Sequence, residues 1–490
     1  NRMKSSSLYN LMAVVPFLVG TLVAATANPL SLGPNGTQRE LFIDGHMIEK
    51  MTGDVRQQLQ LPEPKEVVLT TDAPWEGNTC AYYTIFRDGD LFRMYYRGSH
   101  WDTATKKATH REVTCYAESR DGVNWVKPNL GLFEFNGSKD NNIVLDGLGT
   151  HCFVAFKDEN PNARPEARYR GVSRGWPLGK TGLYIYESPD GIRWKMTQSE
   201  PVITQGEFDS QNLAFWDARI GKYREYHRIF VDGIRAIMTA TSDDFVQWSK
   251  PELLGYQEGI PNQHLYTNAI LPYARAPHLY LGFPTRYLPN DGQRVEPTLM
   301  VSRDGLNFHR WLEPIVPESA PKDRGGNRSN YMAWGLVELP GRANHLSVYA
   351  TEAYYAGPDS RLRRFEYRKD GFVSVNGGKR GGVLITKPIQ LGRLADRLTL
   401  NYRTAEGGLV RVGLYRPDGN AIPGFSLAEC RALAGDQLSE AVMWKSVQGN
   451  VVGKTNADIS QLRKSHPVLQ LRIELKNADL FSIQFQPWLR

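Results

Sequence analysis

Short runs in which apolar and polar residues alternate recur along the chain: Thr114-Cys-Tyr-Ala-Glu118, Gly182-Leu-Tyr-Ile-Tyr186, Ile237-Met-Thr-Ala-Thr241, Leu299-Met-Val301 and Arg364-Phe-Glu-Tyr367. A period of two turns successive side chains to opposite faces, so each run predicts a strand with one face buried. Each is followed by one phrase. It reads Ser119-Arg-Asp121-Gly-Val-Asn-Trp125, Ser188-Pro-Asp190-Gly-Ile-Arg-Trp194, Ser242-Asp-Asp244-Phe-Val-Gln-Trp248 and Ser302-Arg-Asp304-Gly-Leu-Asn-Phe308, with a weaker copy at Lys369-Asp370-Gly-Phe-Val-Ser374. Asp-Gly between two such runs predicts a tight hairpin whose two central residues both take positive φ, with the trailing aromatic packed back over it. The aspartates lie 69, 54, 60 and 66 residues apart, the spacing of a four-stranded unit. The expected fold is all-β, a five-bladed β-propeller.

The texture changes after Gly377-Gly-Lys-Arg-Gly-Gly382, which reads as a linker. Beyond it, Leu398-Thr-Leu-Asn-Tyr402, Leu409-Val-Arg-Val-Gly-Leu414, Ala441-Val-Met-Trp444, Val468-Leu-Gln-Leu-Arg-Ile473 and Leu480-Phe-Ser-Ile-Gln-Phe485 predict short strands of a C-terminal β-sandwich. The expected organisation is a leader over 1–27, a lead-in with one strand over 28–70, the propeller over 71–376 and the sandwich over 383–490. The sandwich is expected to buttress rather than bind, with Trp444 its one candidate surface aromatic.

Composition narrows the setting. The 490 residues are 23% charged and 11% aromatic, as in a globular protein. Met3 and Lys4 precede an apolar run from Leu11 to Val23 and a small-residue Ala25-Thr-Ala27, the pattern of a signal peptide. A membrane anchor is the competing reading, but the run is short and holds Pro16 and Gly20. Removal of the leader lowers the formal charge from +7 to +5, and the protein is expected to be secreted or periplasmic with no span left. The four cysteines, Cys80, Cys115, Cys152 and Cys430, lie in no zinc-like spacing and are expected as buried thiols rather than a disulfide. The basic excess forms no block or stripe, which excludes nucleic acid as partner.

In a propeller, the loops entering first strands and leaving second strands open on one end, so their residues converge on a funnel. Entrances supply Trp75, Glu76, Asn78, His151, Asp209, Gln211, Asn212, His264, Asn268, Arg328 and Asn330. Second-strand ends supply Arg97, His100, Arg174, His227, Arg228, Arg286 and Glu352, and the start of a third strand adds Glu296. Glycosidic cleavage needs two carboxyl groups, one protonated and one ionised. Glu76, Asp209, Glu352 and Glu296 are the catalytic candidates, with Glu352, among aromatics, as general acid and Glu296 as its substitute. Trp75 would stack on a sugar. Arg97, Arg174, Arg286 and Arg328 would grip an anionic one, with Asn212, His264, Asn268 and Asn330 completing the binding set. No organic cofactor is expected. Channel Asp and Asn oxygens suit a structural calcium ion, though no EF-hand-like loop is present.

Leu41-Phe-Ile-Asp44, Pro74-Trp-Glu-Gly77, Tyr95-Tyr-Arg-Gly98, Lys139-Asp-Asn-Asn-Ile-Val144, Phe208-Asp-Ser-Gln-Asn212, His264-Leu-Tyr-Thr-Asn268 and Ser302-Arg-Asp-Gly305 resemble secreted bacterial proteins similar to glycoside hydrolase families 32 and 43. The resemblance implies a five-bladed propeller with carboxylates on inner strands. Glu76 stands nearest the place of the family 32 Asp-Pro, and Asp209 falls one blade later than that family's Arg-Asp-Pro aspartate. The expected function is a glycoside hydrolase for an acidic or sulfated polysaccharide or its oligosaccharides. The alternatives are a carbohydrate-binding propeller without turnover, and a polysaccharide lyase with His151, His227, His264 or Tyr331 as base.

Overall fold

A computed structural model describes residues 28–316, 330–445 and 455–488. The leader and Arg328 lie outside the described residues. The described chain is almost wholly β, with one four-residue α-helix, Leu462–Ser465, and a 3-10 turn at Pro165–Ala167.

Five sheets succeed one another along the chain. The first pairs Ala81–Asp88, Leu91–Gly98, Val113–Ser119 and Ile143–Asp146 in antiparallel order, and the second pairs Val154–Lys157, Tyr169–Arg174, Leu183–Ser188 and Lys195–Met196. The third holds Leu213–Asp217, Lys222–Val231, Ile234–Ser242 and Glu252–Leu253. The fourth is built on Leu271–Pro272, Tyr280–Gly282, Leu299–Ser302 and Asn307–Trp311, with Gly255–Tyr256 added in parallel. Beside it, His264–Leu265, Thr285–Leu288 and Arg294–Pro297 form a small separate sheet. In the fifth, His345–Glu352 and Arg361–Arg368 take their outer partner from far upstream, Glu63–Thr70.

The recurring phrase comes directly after the third strand in each of the first four sheets, and it is not a two-residue hairpin. The Ser119 hydroxyl accepts the Gly122 N–H at 2.9 Å, and Asp121 Oδ1 accepts those of Val123 and Asn124 at 2.8 and 2.7 Å. The Trp125 indole N–H donates to Gly122 O at 3.1 Å. Only the residue after the aspartate takes positive φ: +72° at Gly122, +75° at Gly191, +70° at Phe245 and +80° at Gly305. The serine and aspartate side chains replace the second left-handed residue that a primed turn would need.

The same phrases stitch the sheets together. Tyr349 of the fifth sheet donates to Gly122 O at 2.7 Å, Tyr95 of the first to Gly191 O at 2.7 Å, and Tyr226 of the third to Gly305 O at 2.8 Å. Phe156 of the second packs on Phe245 at 5.6 Å, and Tyr273 of the fourth donates to Asp370 at 2.6 Å. Each sheet therefore meets the next, and the fifth meets the first.

The two ends of the chain share one further sheet of eight strands. Ile48–Leu59 pairs with Val373–Thr386, which pairs with Val468–Gln486, which pairs with Arg397–Tyr415. Three sequence-based expectations change here. Segment 28–70 is not a lead-in with one strand: it supplies Ile48–Leu59 to this sheet and Glu63–Thr70 to the fifth. Four of the five runs predicted as separate short strands merge into two of 19 residues, Arg397–Tyr415 and Val468–Gln486, while the fifth is split between Asp436–Ala441 and Trp444–Lys445. The predicted linker at Gly377–Gly382 lies inside a strand, where the register shifts against both neighbours, as it does at Thr404–Leu409. Glycine is required there because backbones touch: a Cβ on Gly382 would lie 2.0 Å from Thr52 O. Against this sheet lies a core that joins Phe42, Met47 and Val55 to Leu398, Val412, Ile473 and Phe485. Trp444 belongs to this core rather than the surface, with its indole N–H bonded to Val412 O at 2.8 Å. All four cysteines are buried and unpaired.

Candidate functional site

A cavity of about 690 Å³ opens where the first and second sheets meet the loop before the third. At its centre stands His151, which precedes the second sheet. Its Nε2 lies 2.8 Å from Asp209 Oδ1 and its Nδ1 2.8 Å from Glu112 Oε2. A neutral imidazole carries one proton and cannot donate to two carboxylates, so His151 is an imidazolium. Burial would lower its pKa, but the charges and hydrogen bonds facing it outweigh burial and hold it well above the usual range.

Asp209 also takes Arg174 Nη1 at 2.9 Å on the same oxygen. Burial raises this carboxyl, yet the His151 bond and the charges of His151, Arg174 and Arg228 bring it down to about 2. The side chain is still 52% exposed, so an ionised carboxylate faces the opening. Glu112 is likewise lowered against burial by His151 and Arg97. Arg97 donates to Thr79 O at 2.7 Å, and the Tyr354 hydroxyl at 2.9 Å and the Tyr82 ring at 4.8 Å fix its other sides. Trp176, Trp101 and Tyr355 stand at the rim. Trp176 is 51% exposed and packs under Arg174 at 5.5 Å.

Of the predicted site residues, this cavity gathers Asp209, Arg97 and Arg174, with His151 from the alternative set. Glu76 is not among them. Its side chain is fully buried inside the first sheet's edge, ion-paired with Lys127 at 2.6 Å and bonded by the Tyr96 hydroxyl and the Ala73 N–H. Glu352 is buried against Arg363 in the fifth sheet. Glu296 faces Arg286 across a strand pair and is held by Arg286 and Arg294 together, so two candidates satisfy each other. The expected meeting of Glu76, Asp209 and Glu352 in one cavity therefore does not occur, because two of the three spend their charge on a basic neighbour of their own.

The remaining candidates pin backbone. Trp75 bonds Asn142 at 2.7 Å and packs edge-on against Phe135 rather than offering a face. Asn212 holds Phe208 O and Ser210 O, fixing the loop that carries Asp209. Asn268 caps Ile270 N, and Asn330 donates to Thr351 O. His264 accepts from Arg235 N, and His227 and Tyr331 are buried. Glu112 was missed, although it stands just before a third strand, the position that singled out Glu296. Among the described residues, no cluster of three His, Cys, Asp or Glu side chains is arranged to hold a metal, and no helix is long and apolar enough to cross a membrane.

No family model matches the chain. Two uncharacterized proteins from strains of Mycobacterium tuberculosis are 31% identical over 121 residues, 24% of this chain and 33% of theirs, so the chain spans about a third of the length of these curated relatives. Glycoside hydrolases of families 43 and 32 are among the solved structures it is similar to. A family 43 arabinoxylan arabinofuranohydrolase from Bacillus subtilis is 13% identical, with 87% of this chain and 99% of that one covered at a TM-score of 0.40. The family 32 β-fructofuranosidase of Bombyx mori is 10% identical over 86% and 94% at 0.42, and a β-1,2-mannobiose phosphorylase from Listeria innocua 12% identical over 63% and 97% at 0.45. What the cavity can do is set by its own side chains.

Proposed function

We propose that the five stitched sheets are the blades of a propeller and that the protein is a glycan-acting hydrolase for an acidic or sulfated sugar chain, working in the cavity around His151. The observation that carries this reading is the pairing of an exposed, ionised carboxylate, Asp209, with a protonated imidazole at 2.8 Å beneath exposed aromatic side chains. Trp176 and Tyr355 offer ring faces to a pyranose, and Arg97 and Arg174 supply positive charge. His151 passes its Nε2 proton to the departing glycosidic oxygen as the C–O bond breaks. Asp209 Oδ2 steadies the positive charge that develops on the anomeric carbon and takes the proton of the water that adds there. That proton returns to His151, and the balance is one water consumed per bond cleaved.

The test is release of reducing ends from uronate-containing and sulfated polysaccharides. Asp209→Asn keeps the shape and removes the charge, and is expected to lower kcat about 10²–10⁴-fold with binding retained. Products with the ultraviolet absorbance of an unsaturated uronate would replace hydrolysis by elimination. Binding without either product would leave a lectin.

A further inference from the structure

Asn78 has no part in the chemistry just described, yet each of its polar atoms is engaged with one of two loops. It lies in the turn before Ala81–Asp88 and is buried. Its Oδ1 accepts the Trp101 N–H at 3.0 Å, and its Nδ2 donates to Trp101 O at 3.0 Å and to Gly357 O at 2.9 Å. The side-chain amide thus pairs with Trp101 as the peptide group of a neighbouring strand would. Its backbone N–H donates to His100 Nδ1 at 3.2 Å, and its O accepts the Tyr355 N–H at 2.8 Å. A buried amide with every group satisfied holds its partners rigidly. The two loops come from different sheets: Trp101 follows Leu91–Gly98 of the first, and Tyr355 follows His345–Glu352 of the fifth. Both side chains line the cavity around His151. Tyr355 is kept there against strain, for it is 48% exposed while it and Ala353 take φ of +62° and +56°. A strained backbone that leaves a tyrosine ring in water adds nothing to folding, so its use lies in what covers the ring. Trp176, from the second sheet, is tied down separately, its O accepting Gly149 N at 2.8 Å. The rim therefore carries two aromatic stations with independent supports.

We infer that Asn78 is a positioning residue that joins Trp101 and Tyr355 into a second sugar site, apart from the one at Trp176 and Arg174, so that the cavity grips a sugar chain at two of its sugars. This rests on the glycan reading of the cavity. Rigid rings with one apolar body and one polar tip suit the C–H face and hydroxyl edge of a sugar.

The experiment compares wild type, Asn78→Ala and Tyr355→Gly by NMR titration, which reads weak and tight binding alike. The probes are galacturonate with its tetramer, and a sulfated galactose with its tetrasaccharide. Wild type is expected to bind the tetramer of one pair at least about tenfold tighter than its single sugar. Asn78→Ala and Tyr355→Gly are both expected to erase that gain while the affinity for the single sugar stays. Glycine takes the φ of Tyr355 without strain, so Tyr355→Gly is also expected to melt no lower than wild type. A gain that persists in either variant overturns the inference, as does an equal loss of affinity for short and long ligands, which marks a merely loosened cavity. No gain in wild type overturns it too. Should Asn78→Ala fail to fold, Trp101→Ala takes its place: a lost gain supports the inference and an unchanged one overturns it. If neither series binds wild type at any length, the glycan reading itself falls and takes the second site with it.

Discussion

His151 has no neutral form that satisfies both its neighbours, and that fixes the pH range in which the cavity holds together. Its pKa is raised from the usual 6.5, so the stability it contributes is complete below that value and is lost as pH rises through the higher folded value. Asp209 works in the opposite sense: with a folded value of about 2 against 3.8, its contribution is present above 3.8 and lost as pH falls toward 2. The kcat/KM profile is therefore expected to have an acid limb below neutrality and an alkaline limb owed to His151. Glu112→Gln leaves an acceptor at Nδ1 but no charge, and should move the alkaline limb toward acid by ~1–2 pH units, with little change in the acid limb. A limb that stays in place would remove His151 from the chemistry. Asp209 was placed by its position before a first strand; the amides of Gln211 and Asn212, expected to hold its carboxylate, bond backbone carbonyls instead, and His151 and Arg174 hold it. Glu76 and Glu352 were placed by position along their strands, and position does not reveal Lys127 or Arg363, whose pairing depends on which face of a strand each side chain takes.

A strand and a loop are joined by one buried pair that no pattern announces. His227 on Lys222–Val231 has carboxylate oxygens of Glu225 at 2.9 and 3.1 Å from Nδ1, and Gln205 O at 2.8 Å from Nε2. Burial raises the Glu225 carboxyl while Glu225 raises His227 against burial, so the two share a proton as one buried pair, and Nε2 holds the start of the loop that ends in Asp209. The Phe208 ring lies 5.1 Å from it. His227→Phe keeps the ring contact but strands Glu225 and frees Gln205 O, and should cost ~3–5 kcal/mol in urea unfolding. Adding Glu225→Leu removes the stranded charge, so the double variant should be more stable than the single one. If the two losses simply add, the pair does not hold the loop. At this scale the alternating runs marked strand positions well, but not their burial: Val113–Ser119, Leu183–Ser188 and Leu299–Ser302 are buried on both faces rather than one. The glycine-rich Gly377–Gly382 misled because glycine serves equally in a flexible link and where two backbones approach too closely for a Cβ. The Asp-Gly phrases misled about turn type because a serine hydroxyl and a carboxylate can take over bonds that a second left-handed residue would otherwise need.

Across the whole molecule, the five-sheet order was carried by repetition of one phrase, but its closure by upstream residues was not, because pairing between Glu63–Thr70 and Arg361–Arg368 leaves no periodic trace. The weakest copy of the phrase ties the most together. Asp370 is fully buried with φ +62°. It accepts Tyr273 at 2.6 Å and Arg275 at 2.8 Å from the fourth sheet, Arg39 at 3.2 Å from the chain's start, and Ser482 at 2.9 Å and Asn401 at 3.2 Å from the shared eight-stranded sheet. Burial raises its pKa, but Arg275 and Arg39 overcome that and hold it at about 2. Its contribution is therefore present above 3.8, the ordinary value, and lost as pH falls toward 2. Asp370→Asn keeps the volume and leaves Arg39 and Arg275 facing an amide in a site shut off from water. The expected loss at neutral pH is ~3–5 kcal/mol, measured by chemical denaturation. The sheets and the terminal unit would then part before the rest unfolds, so fluorescence and circular dichroism transitions that coincide in wild type should separate in the variant. The acid destabilisation of wild type between 3.8 and 2 should flatten in Asp370→Asn, since the titrating group is gone. A variant that unfolds in one step, with the same midpoint and the same acid slope, would show that the two units are joined by apolar packing and that the buried carboxylate adds nothing to their union.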